Sequence, residues 1–212
     1  MVGLSNPTAM EPPIEPKEDR GAGTRAALVS AAGRLFAERG YEDVSIDDVL
    51  GATGLSRGAL YHHFAGKAAL FEAVVEAVEE AGVERLVAAS RGVEDPEAAL
   101  RAGCRAWLEL VRDPAVRRVT LIDAPAVLGW ERWRAIDERY GMGLLRLPLR
   151  RLAAAGRFDP TLVDGFAHML LAALGEVALV AARAHDGVAA TREAQRAIDA
   201  LLERLLAPQG GA

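Results

Sequence analysis

Apolar positions along this chain recur every three or four residues almost throughout, a period that predicts helices rather than strands. Leu28, Ala31, Ala32, Leu35 and Phe36 form one stripe, entered at Thr24, which can cap, and left at Gly40. Ser45 sits where an N-cap belongs for a short helix burying Ile46, Val49 and Leu50, and Gly54 supplies a left-handed stop. Ser56 caps the next short helix, which turns Leu60 and Phe64 inward. Only Gly54 and Leu55 separate the two, the length at which short helices cross in a helix-turn-helix unit. After Ala65 and Gly66 a long helix is predicted over 67–90, with Leu70, Phe71, Val74, Val78 and Leu86 on its apolar side.

Later helix starts share a device, Asp before Pro, at Asp95, Asp113 and Asp159. The carboxylate accepts from free amides while proline suits the first helical position. A further helix is predicted over 130–155, bent at Pro148 and closed by Gly156, with two last helices over 161–186 and 192–206. No segment alternates with period two between turn residues, so the expected fold is all-α, with about nine helices and no sheet. Residues 1–23 carry Pro7, Pro12, Pro13, Pro16, Gly21 and Gly23 among charges and show no apolar period; a disordered tail is expected there. A helix-turn-helix domain over 24–70 and a larger helical domain over 71–212 remain.

Composition narrows the function classes. At 212 residues the chain needs no staple to bury a core, and its lone Cys104 excludes an internal disulfide framework. The N-terminus has neither a basic start nor an apolar run suited to a signal peptide, so a cytoplasmic location is expected. The most apolar stretch, 165–182, contains His168 and Glu176; a mid-bilayer acid costs roughly 2.5–3.5 kcal/mol, and no membrane span is expected. A net charge of −5 decides nothing about nucleic acid, since a sequence-specific binder needs positive charge only at the groove. No glycine-rich phosphate loop, GxSxG elbow or HExxH pair is more than accidental, the Gly54-Leu55-Ser56-Arg57-Gly58 run falling in the turn between two short helices, so no enzyme is expected. His62 and His63 point apart as helical neighbours with no Cys or third His at ligand spacing, which leaves no expected metal or cofactor.

The segment that carries chemistry is SIDDVLGATGLSRGALYHHFAGKAAL, from Ser45 to Leu70. A recognition helix must present small or polar residues at its leading end so that its backbone can enter a groove about 12 Å wide. Ser56, Arg57, Gly58 and Ala59 meet that need. Arg57 is the best candidate for a base contact, its forked donors suiting guanine, and His62 is placed for a base or a phosphate. The capped short helix, Gly54 and Leu55 in the turn, Ser56 to Gly58 opening the second helix, the run from Leu60 to Phe64 and Lys67 three residues on resemble the DNA-binding domain of the tetracycline-repressor (TetR) family. Leu50 and Thr53 stand where that family usually has alanines. The resemblance implies that Tyr61 and Lys67 meet the DNA backbone, Lys67 at a helix N-terminus whose free amides also favour a phosphate. Ser45 and Arg25 are further phosphate candidates.

By motif the resemblance covers about residues 24–71; the remainder matches in helix count and in two apolar terminal helices. Residues 162–184 are apolar nearly all round, so both sides of that helix need cover. Leu171, Leu174 and Ala178, with Ala194, Ile198, Leu201, Leu202 and Leu205 of the last helix, are expected in a four-helix homodimer interface, the alternative being a purely internal core. A homodimer would set two reading helices about 34 Å apart on palindromic double-stranded operator DNA. TetR-like proteins sense ligands among their middle helices, which implies a small hydrophobic or aromatic effector. Its expected neighbours are Trp107, Leu121, Ile122, Pro125, Trp130, Trp133, Tyr140, Phe166, His168 and Met169, although each is also a natural core residue. The expected activity is that of a ligand-released repressor, the alternative being a helical protein-binding adaptor or an activator without ligand control.

Overall fold

Nine α-helices and no strand make up the described residues, 17–207, of a computed structural model. They are α1 (Lys17–Arg39), α2 (Ile46–Thr53), α3 (Arg57–His63), α4 (Lys67–Ser90), α5 (Pro96–Leu110), α6 (Ala124–Leu128), α7 (Trp130–Ala154), α8 (Val163–Arg183) and α9 (Gly187–Leu205). A π-helical stretch, Val116–Asp123, runs directly into α6, and a 3-10 turn, Pro160–Leu162, into α8. α1 begins at Lys17, so residues 17–23 are helix and not the expected tail. Gly21 and Gly23 weaken the helix without ending it. Residues 1–16, where the rest of the tail is expected, lie outside the described residues. α9 also starts earlier than its apolar period suggests, because Asp186 Oδ1 accepts from the N–H groups of Val188 and Ala189 at 3.1 and 3.0 Å.

The N-terminal core is not closed by its own domain. Leu28, Phe36, Val49, Leu60, Phe71 and Val74 are completed by Val119 of the π-helical stretch and by Trp133 and Ile136 of α7. Polar contacts reinforce the junction: Tyr41 N–H donates to Asp123 Oδ2 at 2.8 Å, and Arg118 donates to the same carboxylate at 3.3 Å and to Arg39 O at 3.3 Å. The π-helical stretch stops where it does for a local reason. In that register Pro125 would have to donate to Thr120 O, as Ala124 N–H does to Val119 O, but proline has no N–H. Trp133 Nε1–H donates to Thr120 O instead, at 2.8 Å.

The C-terminal core gathers Leu100, Leu108, Leu149, Leu152, Leu170, Ile198 and Leu202 from α5, α7, α8 and α9. Among the described residues Pro160–Arg183 is the one helical segment long and apolar enough to cross a membrane by length and composition. Its inward side, through Val163, Ala167, Leu170 and Leu174, belongs to this core.

Candidate nucleic-acid interface and internal cavity

Two serines set the first turns of the helix-turn-helix. Ser45 Oγ accepts from Asp48 N–H at 3.1 Å while Ser45 N–H donates to Asp48 Oδ2 at 2.8 Å, a reciprocal box that also holds the Asp48 carboxyl below its ordinary range. Gly54, at φ +69°, ends α2 in a conformation that a side chain would strain. Thr53 ties the turn, its Oγ1 donating to Val49 O at 2.9 Å and accepting from Leu55 N–H at 3.4 Å. Ser56 Oγ then accepts from Ala59 N–H at 3.2 Å and caps α3.

α3 buries Leu60, and Phe64 follows it into the core, which leaves Ser56, Arg57, Gly58, Tyr61 and His62 exposed and Ala59 half-buried. Arg57 forms an ion pair with Asp47 of α2, both side chains reaching into solvent. Lys67, at the head of α4, is half-buried; its Nζ lies 4.1 Å from the centre of the Tyr41 ring and donates to Glu42 O at 3.4 Å. The exposed Arg25 guanidinium lies 5.4 Å from the Phe64 ring centre, and Ser45 is exposed at its cap. The expected DNA contacts thus sit on α1, the cap of α2, α3 and the head of α4, and none is buried. Among the described residues no three His, Cys, Asp or Glu side chains form a group able to hold a metal.

A cavity of about 250 Å³ opens between α4, α5, α7 and α8. Its wall is mainly apolar, with Val83, Leu86, Leu100, Leu144 and Leu171, and it carries Glu79 of α4 and Asp137 and Tyr140 of α7. Gly82, Gly103, Gly141, Gly143 and Gly175 line it too; at Gly103, Gly143 and Gly175 a side chain would enter open space, whereas at Gly82 and Gly141 it would press on Leu110 and Leu171. Burial, helped by the nearby Asp137 charge, pushes the Glu79 carboxyl up to about 7. Burial raises Asp137 to about 6 against the pull of Arg134, whose Nη1 lies 2.7 Å from Asp137 Oδ2. Trp107 of α5 also lines the cavity, and its buried Nε1–H has no acceptor among the described residues.

Of the residues expected around a ligand, only Trp107 and Tyr140 line this space. Trp133 belongs to the N-terminal core, and its N–H is committed to Thr120. Leu121 packs with Val111 and Ala178, Pro125 is half-buried in α6, and Ile122, Trp130 and Met169 are exposed. Phe166 packs edge-on against Phe158 at 4.9 Å, and the exposed His168 has its Nδ1 4.0 Å from Glu138 Oε1. Helical period tells which positions turn inward, not where facing helices fail to meet. Glu79 and Asp137 went unnoticed by sequence reasoning although a signal exists: each acid interrupts an apolar stripe, Val75, Glu79, Gly82, Leu86 and Trp133, Asp137, Tyr140, Leu144.

Residues 28–74 match the family described as "Bacterial regulatory proteins, tetR family", and residues 97–205 the one described as "Tetracyclin repressor-like, C-terminal domain". The chain belongs to the TetR family. It is 34% identical over 161 residues to the HTH-type transcriptional repressor AcnR of Corynebacterium glutamicum, spanning 70% of this chain and 82% of that one. The crystal structure of a TetR-family transcriptional regulator from Pectobacterium atrosepticum superimposes with a TM-score of 0.79 at 34% identity, over 91% of this chain and 98% of that one. RolR in complex with resorcinol shares the fold, with a TM-score of 0.67 at 19% identity, over 92% and 99% of the two chains. TetR-family proteins are DNA-binding transcriptional regulators rather than enzymes, and α2 and α3 of this chain are the helix-turn-helix of that family.

Within this TetR-family chain most residues expected at a dimer interface face inward. Leu171 and Leu174 line the cavity, while Ala194, Ile198 and Leu202 are buried in the C-terminal core and Leu205 packs against it. Ala178 is buried between Val111 and Leu121. Leu201 alone of that set is exposed. The outer face is a different stripe, with Leu162, Met169, Ala172 and Val180 on or leading into α8, interrupted by His168 and Glu176, and Ala197 and Leu201 on α9. The contrast by which the sequence could choose the inner face is thin, resting on Asp164, His168 and Glu176, which all fall on the exposed side.

Proposed function

We propose that this TetR-family regulator is a repressor that binds a palindromic operator as a homodimer and is released by a small ligand taken into the cavity between α4, α5, α7 and α8. One observation carries the DNA-binding role: the leading end of α3 is open to solvent while its rear is anchored by Leu60, so Arg57 and Gly58 are free to enter a major groove. Tyr61, 47% exposed, and Lys67 supply phosphate contacts on either side, with Ser45, Ser56 and Arg25 at the flanks. The exposed Leu162, Met169, Val180 and Leu201 of α8 and α9 support a second copy as their cover, since a twofold partner offers a matching surface. α4 supports the coupling, because Lys67 lies at its head and Glu79, Gly82 and Leu86 further along line the cavity. A ligand that binds better when the reading heads are displaced lowers operator affinity by that difference. Repressor action, a cytoplasmic location and the absence of membrane contact are part of the same proposal.

The test is selection of operator sequences from random duplexes, followed by titration of variants on the selected site. Arg57→Ala is expected to cost about 1–3 kcal/mol, mainly at one base position, and Lys67→Ala to weaken all sequences while lowering the salt slope by about one. Unchanged affinity in both variants would reject this interface.

A further inference from the structure

We propose that the cavity between α4, α5, α7 and α8 takes an apolar molecule bearing one positive charge, an aryl-alkyl amine in its protonated form, with Glu79 and Asp137 as its counter-charges. This deepens the proposed ligand release by naming the chemistry of the ligand. An apolar wall of this kind favours hydrocarbon, and Trp107 and Tyr140 offer aromatic surface for a cation or a ring. Glu79 is the unusual group. It projects from the apolar stripe of α4 to the cavity and has no hydrogen-bond or ion-pair partner among the described residues. Asp137, across from it on α7, has Arg134 as partner, but Arg134 also spans to Glu138 at 3.2 Å. Buried charge without a partner is costly, and both carboxyls are pushed toward the protonated form, Glu79 to about 7. A cation in the cavity removes that cost; a neutral molecule leaves it and an anion adds to it.

The other groups around the pair do not supply the missing charge. On α4, Glu76 is held by Arg139 at 3.2 Å and Glu80 is exposed, while on α7 the Tyr140 hydroxyl has its pKa raised, first by burial. α5 presents the Cys104 thiol, pushed up to about 12 and therefore neutral, and α8 presents Leu171, Leu174 and Gly175. Arg151, the one guanidinium on the cavity wall, donates to Glu94 O and lies about 20 Å along α7 from Asp137 at 1.5 Å per residue. Binding of a cation therefore completes ionisation of Glu79 and releases a proton to solvent near neutral pH, an effect that a neutral ligand does not produce.

The experiment is calorimetry on the full chain with three probes of matched skeleton, phenylbutylamine, phenylbutanol and phenylbutanoate, near neutral pH in two buffers of different ionisation enthalpy. The amine is expected to bind about tenfold or more tightly than the alcohol, with net proton release, and the carboxylate most weakly. Glu79→Gln is expected to bring the amine to within about twofold of the alcohol and abolish the proton release; the melting curve of the variant reports on its fold, and Asp137→Asn is the second variant. Equal binding of amine and alcohol to the unsubstituted chain, or an amine preference that survives both substitutions, overturns the assignment, as does binding of none of the three. Release of the selected operator is followed in parallel. If the alcohol or the carboxylate fills the cavity and releases DNA in place of the amine, ligand release stands and the positive charge falls. If the amine binds through Glu79 while DNA stays bound, the charge assignment stands and ligand release falls.

Discussion

Single side chains in this protein are held in states that their roles would have to change. Arg57 is paired with Asp47 in the free chain, and both ends of the pair are well exposed. Such a contact contributes about 0–1 kcal/mol, so it orients the guanidinium without keeping it from a guanine edge. Lys67 is presented by a ring, Tyr41, rather than by a carboxylate, which leaves its charge unneutralised for a phosphate. Glu79 is the opposite case, a carboxyl whose environment resists its charge. Its pKa rises from 4.5 to about 7, so below about pH 4.5 folded and unfolded chains are both protonated and the group is neutral in its effect. Between those values the unfolded chain loses the proton while the folded chain keeps it, and stability falls as pH rises, by roughly 1–3 kcal/mol once above 7. Asp137 acts in the same sense over a lower window, from 3.8 to about 6. Glu79→Gln is therefore expected to raise the melting temperature by about 3–8 °C near pH 8 and to change it little near pH 4.5. Thermal melts at the two pH values check this, and an equal shift at both would show that the carboxyl is not strained.

At the scale of elements, the segment from Val116 to Leu128 has the most to explain. Asp113 before Pro114 predicts a helix start, and a helix does start there, but the i+5 register that follows is set by contacts from far along the chain. Pro125 leaves the Thr120 carbonyl without an intrahelical donor, and Trp133, thirteen residues on, supplies one. The exchange also fixes Val119 and Asp123 against α1 and Tyr41, so the stretch joins the helix-turn-helix domain to the C-terminal helices. Trp133→Phe keeps most of the buried ring and removes the donor. It is expected to lower stability by about 1–3 kcal/mol, the cost of an unmet buried carbonyl, measured by urea denaturation. A change near zero would mean that the indole N–H is incidental. The logic of α2 and α3 is simpler, because their caps are local: Ser45 with Asp48, Ser56 with Ala59 and Gly54 at a positive φ are all set by residues within a few positions.

At the scale of the whole molecule, the outer stripe of α8 and α9 is the face proposed to bring two reading heads together. Met169 and Leu201 are 58% and 42% exposed in the single chain, so glutamate at either position is tolerated by the protomer and placed inside the proposed twofold interface. Met169→Glu with Leu201→Glu is expected to give a monomer in sedimentation and to reduce operator affinity to the non-specific level. An unchanged sedimenting mass would place the interface elsewhere. Much of the architecture was open to reading from the chain alone, because helix caps, the turn between α2 and α3 and the apolar period are short-range features written within a few residues. That is why the helix-turn-helix and the exposed end of Arg57 and Gly58 follow from residues 45–67 without the rest. The cavity and the outer face were not open in this way. Leu171 and Leu174 are as apolar as Met169 and Val180, and the docking of α5, α7 and α9 puts the first pair inside and leaves the second outside with His168 and Glu176. Glu79 and Asp137 lie 58 residues apart, and the shared desolvation that marks them as a site exists only once α4 and α7 pack together. Local chemistry in the sequence thus determined the helices and the reading head. Which apolar faces meet, and where small residues leave a charged hollow between them, was decided by tertiary packing, since burial is a property of surroundings that no short window of residues contains.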